Sequence, residues 1–184
     1  MEPDNAIYGR SLVRNLYELH RSLSYRNAYN GLYAVVPATD WSFFSYASLA
    51  FFDGIFAHAI KVLDRHKDAA SFFYLYNCNR KEVLAELAKS HLNLVDVQTL
   101  SSKLNKIRDK THFHIDKKAV FSPNAVWLDA DMTGNFFNNV MDKLWLVLNS
   151  LHASYFHREF GQPIYAAKDV KAIIEAVQSK GLRV

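Results

Sequence analysis

A chain of 184 residues that is 50% hydrophobic and 14% aromatic carries enough apolar side chain for a core of its own, which excludes a disordered polypeptide and removes any need for metal or disulfide staples. The lone cysteine, Cys78, excludes an internal disulfide and a multi-cysteine zinc site, so a reducing, cytoplasmic setting is expected. Net charge is a modest +4, and its information lies in where the cations fall.

The first segment, MEPDN, is acidic and lacks the basic start and apolar run of a secretory signal. Residues 7 to 35 place Leu12, Leu16, Leu19 and Leu23 at spacings of four, three and four, which puts one stripe on a helix face. Gly31 is read as a bend or interruption and Pro37 as the stop, with Thr39 or Asp40 capping the next helix. Trp41 to Arg65 is apolar around most of its circumference, the pattern of a helix at the centre of a bundle, which places Asp53 and His58 in or near the core as hydrogen-bonded polar residues. Asp53, His58 and Lys61 also interrupt its most apolar window, so no membrane span is expected there.

Phe72 to Tyr76 reads as a short helix or an ordered loop, and Asn79 with Glu82 as a capping box opening a helix over Arg80 to Lys89. A further helix is predicted from Asp96 to Lys110 with an inward stripe of Val97, Leu100, Leu104 and Ile107. Ala119 to Asn135 has no sustained period and reads as a connection anchored by Val126, Trp127 and Leu128. The next helix spans Asn135 to Phe160, stopped by Gly161 and Pro163, and the last runs from Ala167 to Gln178. No stretch alternates with period two long enough to argue a sheet. The expected fold is all-α, a single domain over residues 1–184 built as a bundle of four long helices with one or two short ones.

The stretch that points to chemistry is Lys106 to Lys118, KIRDKTHFHIDKK. Between Lys103 and Lys118 six basic residues (Lys103, Lys106, Arg108, Lys110, Lys117, Lys118) stand against two acids (Asp109, Asp116), an excess of four. Such a patch suits phosphate, and it also suits a solvated helix end with no ligand. His112, His114 and Asp116 form an H-x-H-x-D string, but Lys117 follows the aspartate, and an ammonium there opposes a divalent cation. No metal or other cofactor is therefore expected. A metal-independent phosphate site needs only a guanidinium to bind phosphate oxygens and a histidine titrating near neutral pH, because RNA brings its own nucleophile in the 2′-hydroxyl.

Arg108-Asp109, four further residues and His114 resemble the R-x(4-6)-H motif of the HEPN superfamily, and the longer string RDKTHFHID is similar to its AbiU-type abortive-infection branch. The resemblance extends more weakly through the apolar helix ending at Leu63-Asp64 and toward the helix from Asn135, roughly residues 40 to 160. It implies a HEPN-like helical bundle working as a homodimer, an endoribonuclease of a phage-defence or toxin–antitoxin system. Arg108 would bind the scissile phosphate and His114 would act as general acid or base. Asp109, His112 and Asp116 are candidates to support them, although Asp109 reads at least as well as a partner of a nearby lysine and His112 as an exposed or hydrogen-bonded bystander. Lys106, Lys110, Lys117 and Lys118 would hold RNA, and a nucleotidyltransferase-like antitoxin would be a partner. Two other readings stay open: a non-catalytic HEPN-like module binding RNA, nucleotide or a partner protein, and a structural helical protein in which the string is only a helix terminus.

A second pair at matching spacing, Arg14 to His20, lies inside the leucine-striped helix and reads as an exposed face. For Arg108 and His114, six residues of ideal helix rotate by about 600°, leaving the two about 120° apart. If the pair acts together, the helix must end, widen or turn between them, or the groups must meet across a second protomer.

Overall fold

The structure, a computed structural model, describes residues 5–33, 42–112 and 125–179. Among these there are helices and no strand, so the all-α class holds, with eight α-helices and one π-helical turn. They are α1 (Asn5–Tyr33), α2 (Ser42–Val62), α3 (Phe72–Cys78), α4 (Arg80–Lys89), α5 (Leu94–Ile107), the π turn Arg108–His112, α6 (Ala125–Asp129), α7 (Gly134–Phe156) and α8 (Lys168–Ser179). No helix of the described residues is long and apolar enough to cross a membrane. The chain divides into two compact units, Met1–Leu19 with Ala59–Gly161 and His20–His58 with Gln162–Val184.

The larger unit is built on four stripes. Leu12, Leu16 and Leu19 of α1, then Val97, Leu100, Leu104 and Ile107 of α5, are all at most 1% exposed. Val83 and Leu87 of α4 join them, as do Val140, Met141, Leu144, Val147, Leu148 and Leu151 of α7. Complete removal of these side chains from water is the main favourable term holding the unit together. The aromatic piece at 72–76 is a helix because Ser71 caps it, accepting the Phe73 N–H, while Phe72 and Leu75 plunge into the core.

Several local expectations are corrected. Asn79 does not form the capping box: its side-chain amide donates to the Glu82 carboxylate, and its backbone N–H is already spent on Leu75 O at the end of α3. One residue closes α3 and opens α4, and its φ of −137° and ψ of 62° do not set its side chain on the α4 N–H groups. Helix α7 ends at Phe156 rather than Phe160, with His157 (φ 53°) taking the left-handed position expected of Gly161. The early end lets the chain fold back so that Phe160 meets Tyr17, Trp145 and His152 at ring centroid distances of 5.2, 5.9 and 5.6 Å. His152 is buried, its Nδ1 bonded to Arg158 O at 3.0 Å, and loss of solvent holds its pKa below the usual imidazole value. Part of the expected 119–135 connection is helix α6, in which Val126 and Trp127 pack on Ile107 while Leu128 is 80% exposed and anchors nothing.

Near the start of α1, Tyr8 is buried against Tyr155 with centroids 5.4 Å apart. Its hydroxyl is the one buried side-chain polar atom without a hydrogen bond among the described residues, the Asn79 side chain approaching without bonding geometry. Desolvation, followed by the nearby Glu82 charge, raises its pKa to about 12, so it stays a neutral phenol.

In the second unit α1 continues unbroken past Gly31, whose α-carbon faces Ala167: a Cβ there would sit 3.2 Å from the Ala167 Cβ. Leu23, Ala28, Leu32, Ile55, Phe56 and Ala167 are its buried apolar residues. Ser22 Oγ donates to Ile55 O at 2.8 Å, and Asn27 Nδ2 to Tyr165 O at 2.8 Å. Gly54 is required because a Cβ there would lie 2.3 Å from the Tyr25 ring. Asp53 is exposed, as are Tyr46 and Leu49, so this half of α2 is not the central helix its composition suggested. His58 is half-buried beside Tyr25, centroids 5.4 Å apart. Pro37, Thr39, Asp40 and the punctuation at 122–124 lie outside the described residues.

The difference between Leu128 and Leu144 is open to test. Leu144→Ala, at a fully buried site, should lower unfolding stability by about 2–5 kcal/mol. Leu128→Ala should move it by no more than about 0.5 kcal/mol. Urea denaturation followed by circular dichroism measures both, and a large loss at Leu128 would contradict the placement of α6.

Candidate functional site

The site begins where α5 runs out of buried stripe. Ile107 is fully buried and packs with Val126 and Ala130 of the α6 segment, with Trp127 and Met132 against the same cluster. One residue on, at Arg108, the backbone leaves α geometry for a π turn through His112. Such a turn takes one extra residue into each hydrogen-bonded ring. The helix therefore widens over Arg108–His112, the start of the Arg108 to His114 interval.

The Arg108 side chain is 29% exposed, and its Nε donates to Asp109 Oδ1 at 2.9 Å. The two terminal guanidinium nitrogens find no partner among the described residues, which leaves the bidentate edge available to an oxyanion. The lysines are differently placed. Lys106 Nζ reaches Asp129 O at 2.6 Å and Asp129 Oδ2 at 3.0 Å, and Lys110 Nζ reaches the same Oδ2 at 2.8 Å. Lys103 Nζ pairs with Asp131 Oδ2 at 2.9 Å, bonds Asp131 O, and lies 5.6 Å from the Phe136 ring centroid.

Asp129 and Asp131 were not legible as part of the site. They lie 19 to 28 residues from their lysine partners, and only the docking of α6 on Ile107 brings them there. Asp131 itself adopts a positive φ of 49° in the turn between α6 and α7. Hydrogen bonds from Lys110 and then Lys106, reinforced by their charges, hold the Asp129 carboxyl down to about 2, and the Lys103 bond lowers Asp131 likewise. In this part of the patch four cations (Lys103, Lys106, Arg108, Lys110) meet three carboxylates (Asp109, Asp129, Asp131), leaving a formal excess of one. That is a weaker field than the linear sequence implied. Arg108 is left as the cation whose own hydrogen-bonding edge is open.

His112 contributes its backbone to the π turn, while its side chain lies outside the described residues, as do His114, Asp116, Lys117 and Lys118. Among the described residues no group of three or more His, Cys, Asp or Glu side chains is gathered to hold a metal ion. The second arginine–histidine pair has its members engaged separately. Arg14 pairs with the buried Glu18 carboxylate at 2.7 Å, which Lys61 also approaches at 3.4 Å, and His20 Nε2 bonds Pro163 O at 3.0 Å. No protein-family model, curated protein or solved structure matches the chain.

The Asp129 pairing predicts a titration. A carboxyl whose folded pKa is depressed from 3.8 to about 2 adds stability that is fully present above 3.8 and is lost as pH falls through about 2. Carboxyl NMR should show Asp129 titrating near 2 in the wild type. In the Lys106→Ala/Lys110→Ala variant it should return to the ordinary aspartate range, near about 3.9. An unchanged midpoint in that variant would show that the lysines do not hold it.

Proposed function

We propose that this protein is a metal-independent endoribonuclease of the HEPN type, acting as a homodimer in a phage-defence or toxin–antitoxin system. Arg108 binds the scissile phosphate and His114 performs the proton transfers. The observation that carries the reading is the π turn opening at Arg108. That turn starts on a guanidinium whose terminal nitrogens are unoccupied among the described residues. Departures of this kind from the α-helix are frequent at functional sites.

The chemistry rests on three groups. RNA's 2′-hydroxyl attacks the adjacent phosphorus as a histidine removes its proton, charge builds on the pentacoordinate phosphorane, and the 5′-oxygen leaves with a proton returned to it. A guanidinium bonded to two nonbridging oxygens stabilises that charge, because its hydrogen bonds strengthen as the oxygens become more negative. Asp109, bonded to Arg108 Nε, fixes the plane of the guanidinium while leaving the opposite edge open. Lys106 and Lys110 reach the RNA backbone by exchanging Asp129 for phosphate. Lys117 and Lys118 extend the cationic path.

A second reading is favoured by one observation: Asp129 and Asp131 already neutralise three of the lysines. In that reading the module binds RNA, nucleotide or a partner such as a nucleotidyltransferase-like antitoxin without turnover.

Incubation with single-stranded RNA in EDTA separates the two. The ribonuclease reading expects cleavage that falls by roughly 10²-fold or more in His114→Ala. Arg108→Ala should lose a similar roughly 10²–10³-fold factor, as removal of a transition-state oxyanion donor does. Cleavage that survives His114→Ala removes that residue from the chemistry. RNA binding without cleavage in the wild type, weakened by Arg108→Ala, establishes the second reading.

A further inference from the structure

Away from Arg108, a groove of about 440 Å³ opens along the first turns of α1 and the end of α7. Its floor is carbon: Gly9 and Val13 on one side, the Tyr155 and Phe156 rings on the other. Gly9 sets its shape, since a Cβ there would come within 2.7 Å of the Tyr155 ring, and only a bare α-carbon lets that ring lie against α1. Arg10 and Arg14 stand on its rim four residues apart, hence on one row of the helix with a rise of about 6 Å between them. No carboxylate lines the groove. Arg14 is held from outside it by Glu18, whereas Arg10 is exposed and has no ion-pair or hydrogen-bond partner among the described residues.

An aromatic floor of this kind takes a flat π system, and the unpaired Arg10 guanidinium at its rim, with Arg14 one turn on, takes an oxyanion. The volume falls in the range of small-ligand sites, about 300–1,000 Å³. From this juxtaposition we propose that the groove is a binding site for a free mononucleotide, with the base against Tyr155 and Phe156 and the phosphate on Arg10 and Arg14. The site does not depend on Arg108 or His114, so it stands or falls apart from the ribonuclease reading.

Titration calorimetry on the full chain tests it with adenosine 5′-monophosphate, adenosine and dodecanoate as probes. The expected result is one adenosine 5′-monophosphate bound per chain. Adenosine, lacking the phosphate, should bind roughly tenfold or more weaker, the scale of a charged hydrogen bond. Arg10→Ala, at an exposed side chain with no partner to lose, should weaken the monophosphate by a similar factor while the circular dichroism spectrum and thermal midpoint stay unchanged. Val13→Glu, which sets a carboxylate and extra volume on the floor, should abolish binding, and Arg108→Ala should leave it intact. The proposal is overturned if the wild type shows no binding at millimolar monophosphate. It is equally overturned if adenosine binds as well as its monophosphate, if dodecanoate binds more tightly than either, or if Arg10→Ala has no effect.

Discussion

Ile107 is the residue on which the fold and the candidate chemistry both turn. Its complete burial ends the α5 stripe, and its contact with Val126 and Ala130 draws the α6 segment against the same helix end. Everything about the Arg108 neighbourhood depends on that contact. The helix cannot slide or rotate to relieve a mismatch, because the stripe residues behind Ile107 are fixed in the core, so the change of geometry is taken up in the exposed turn that begins one residue later. The same contact delivers Asp129 and Asp131 to the lysines of α5 and of the π turn.

The electrostatics that result differ in kind from a bare basic patch. Lysines that would be diffuse cations are tethered to carboxylates across the α5–α6 packing, and these pairs are solvent-exposed, so each is worth little to stability and is weakened by salt. Their consequence is positional. A phosphate arriving at this surface meets a guanidinium with an open edge, surrounded by ammonium groups that can trade one oxyanion for another at small cost. In the proposed ribonuclease reading, a polyanion would supply several phosphates at once, one for each carboxylate displaced.

Much of the fold was legible because burial imposes a period on sequence. The leucines of α1 and the α5 stripe were read at the positions the core uses. What was not legible depends on contacts distant in sequence. Leu128 carries an apolar side chain but falls on the outer face of a short helix whose orientation is set by Ile107, and no local pattern distinguishes it from Val126. Helix α7 stops at Phe156 because Phe160 has an aromatic pocket to fill, which overrides the stronger local stop signal at Gly161. The apolar half of α2 shows the converse: composition argued for burial, yet Tyr46 and Leu49 face solvent. The candidate site divides in the same way, with Arg108 read from sequence and its acidic counterweights hidden in a segment more than 20 residues away.

The central claim is that the Arg108 neighbourhood acts on RNA through RNA's own 2′-hydroxyl. The most direct measurement is product analysis, in EDTA, of an oligoribonucleotide and of the same oligonucleotide carrying 2′-deoxyribose at the cleaved position. The account predicts fragments ending in a 2′,3′-cyclic phosphate and a 5′-hydroxyl from the first, and no cut at that position in the second. Cleavage of the deoxy-substituted strand at an undiminished rate would contradict it.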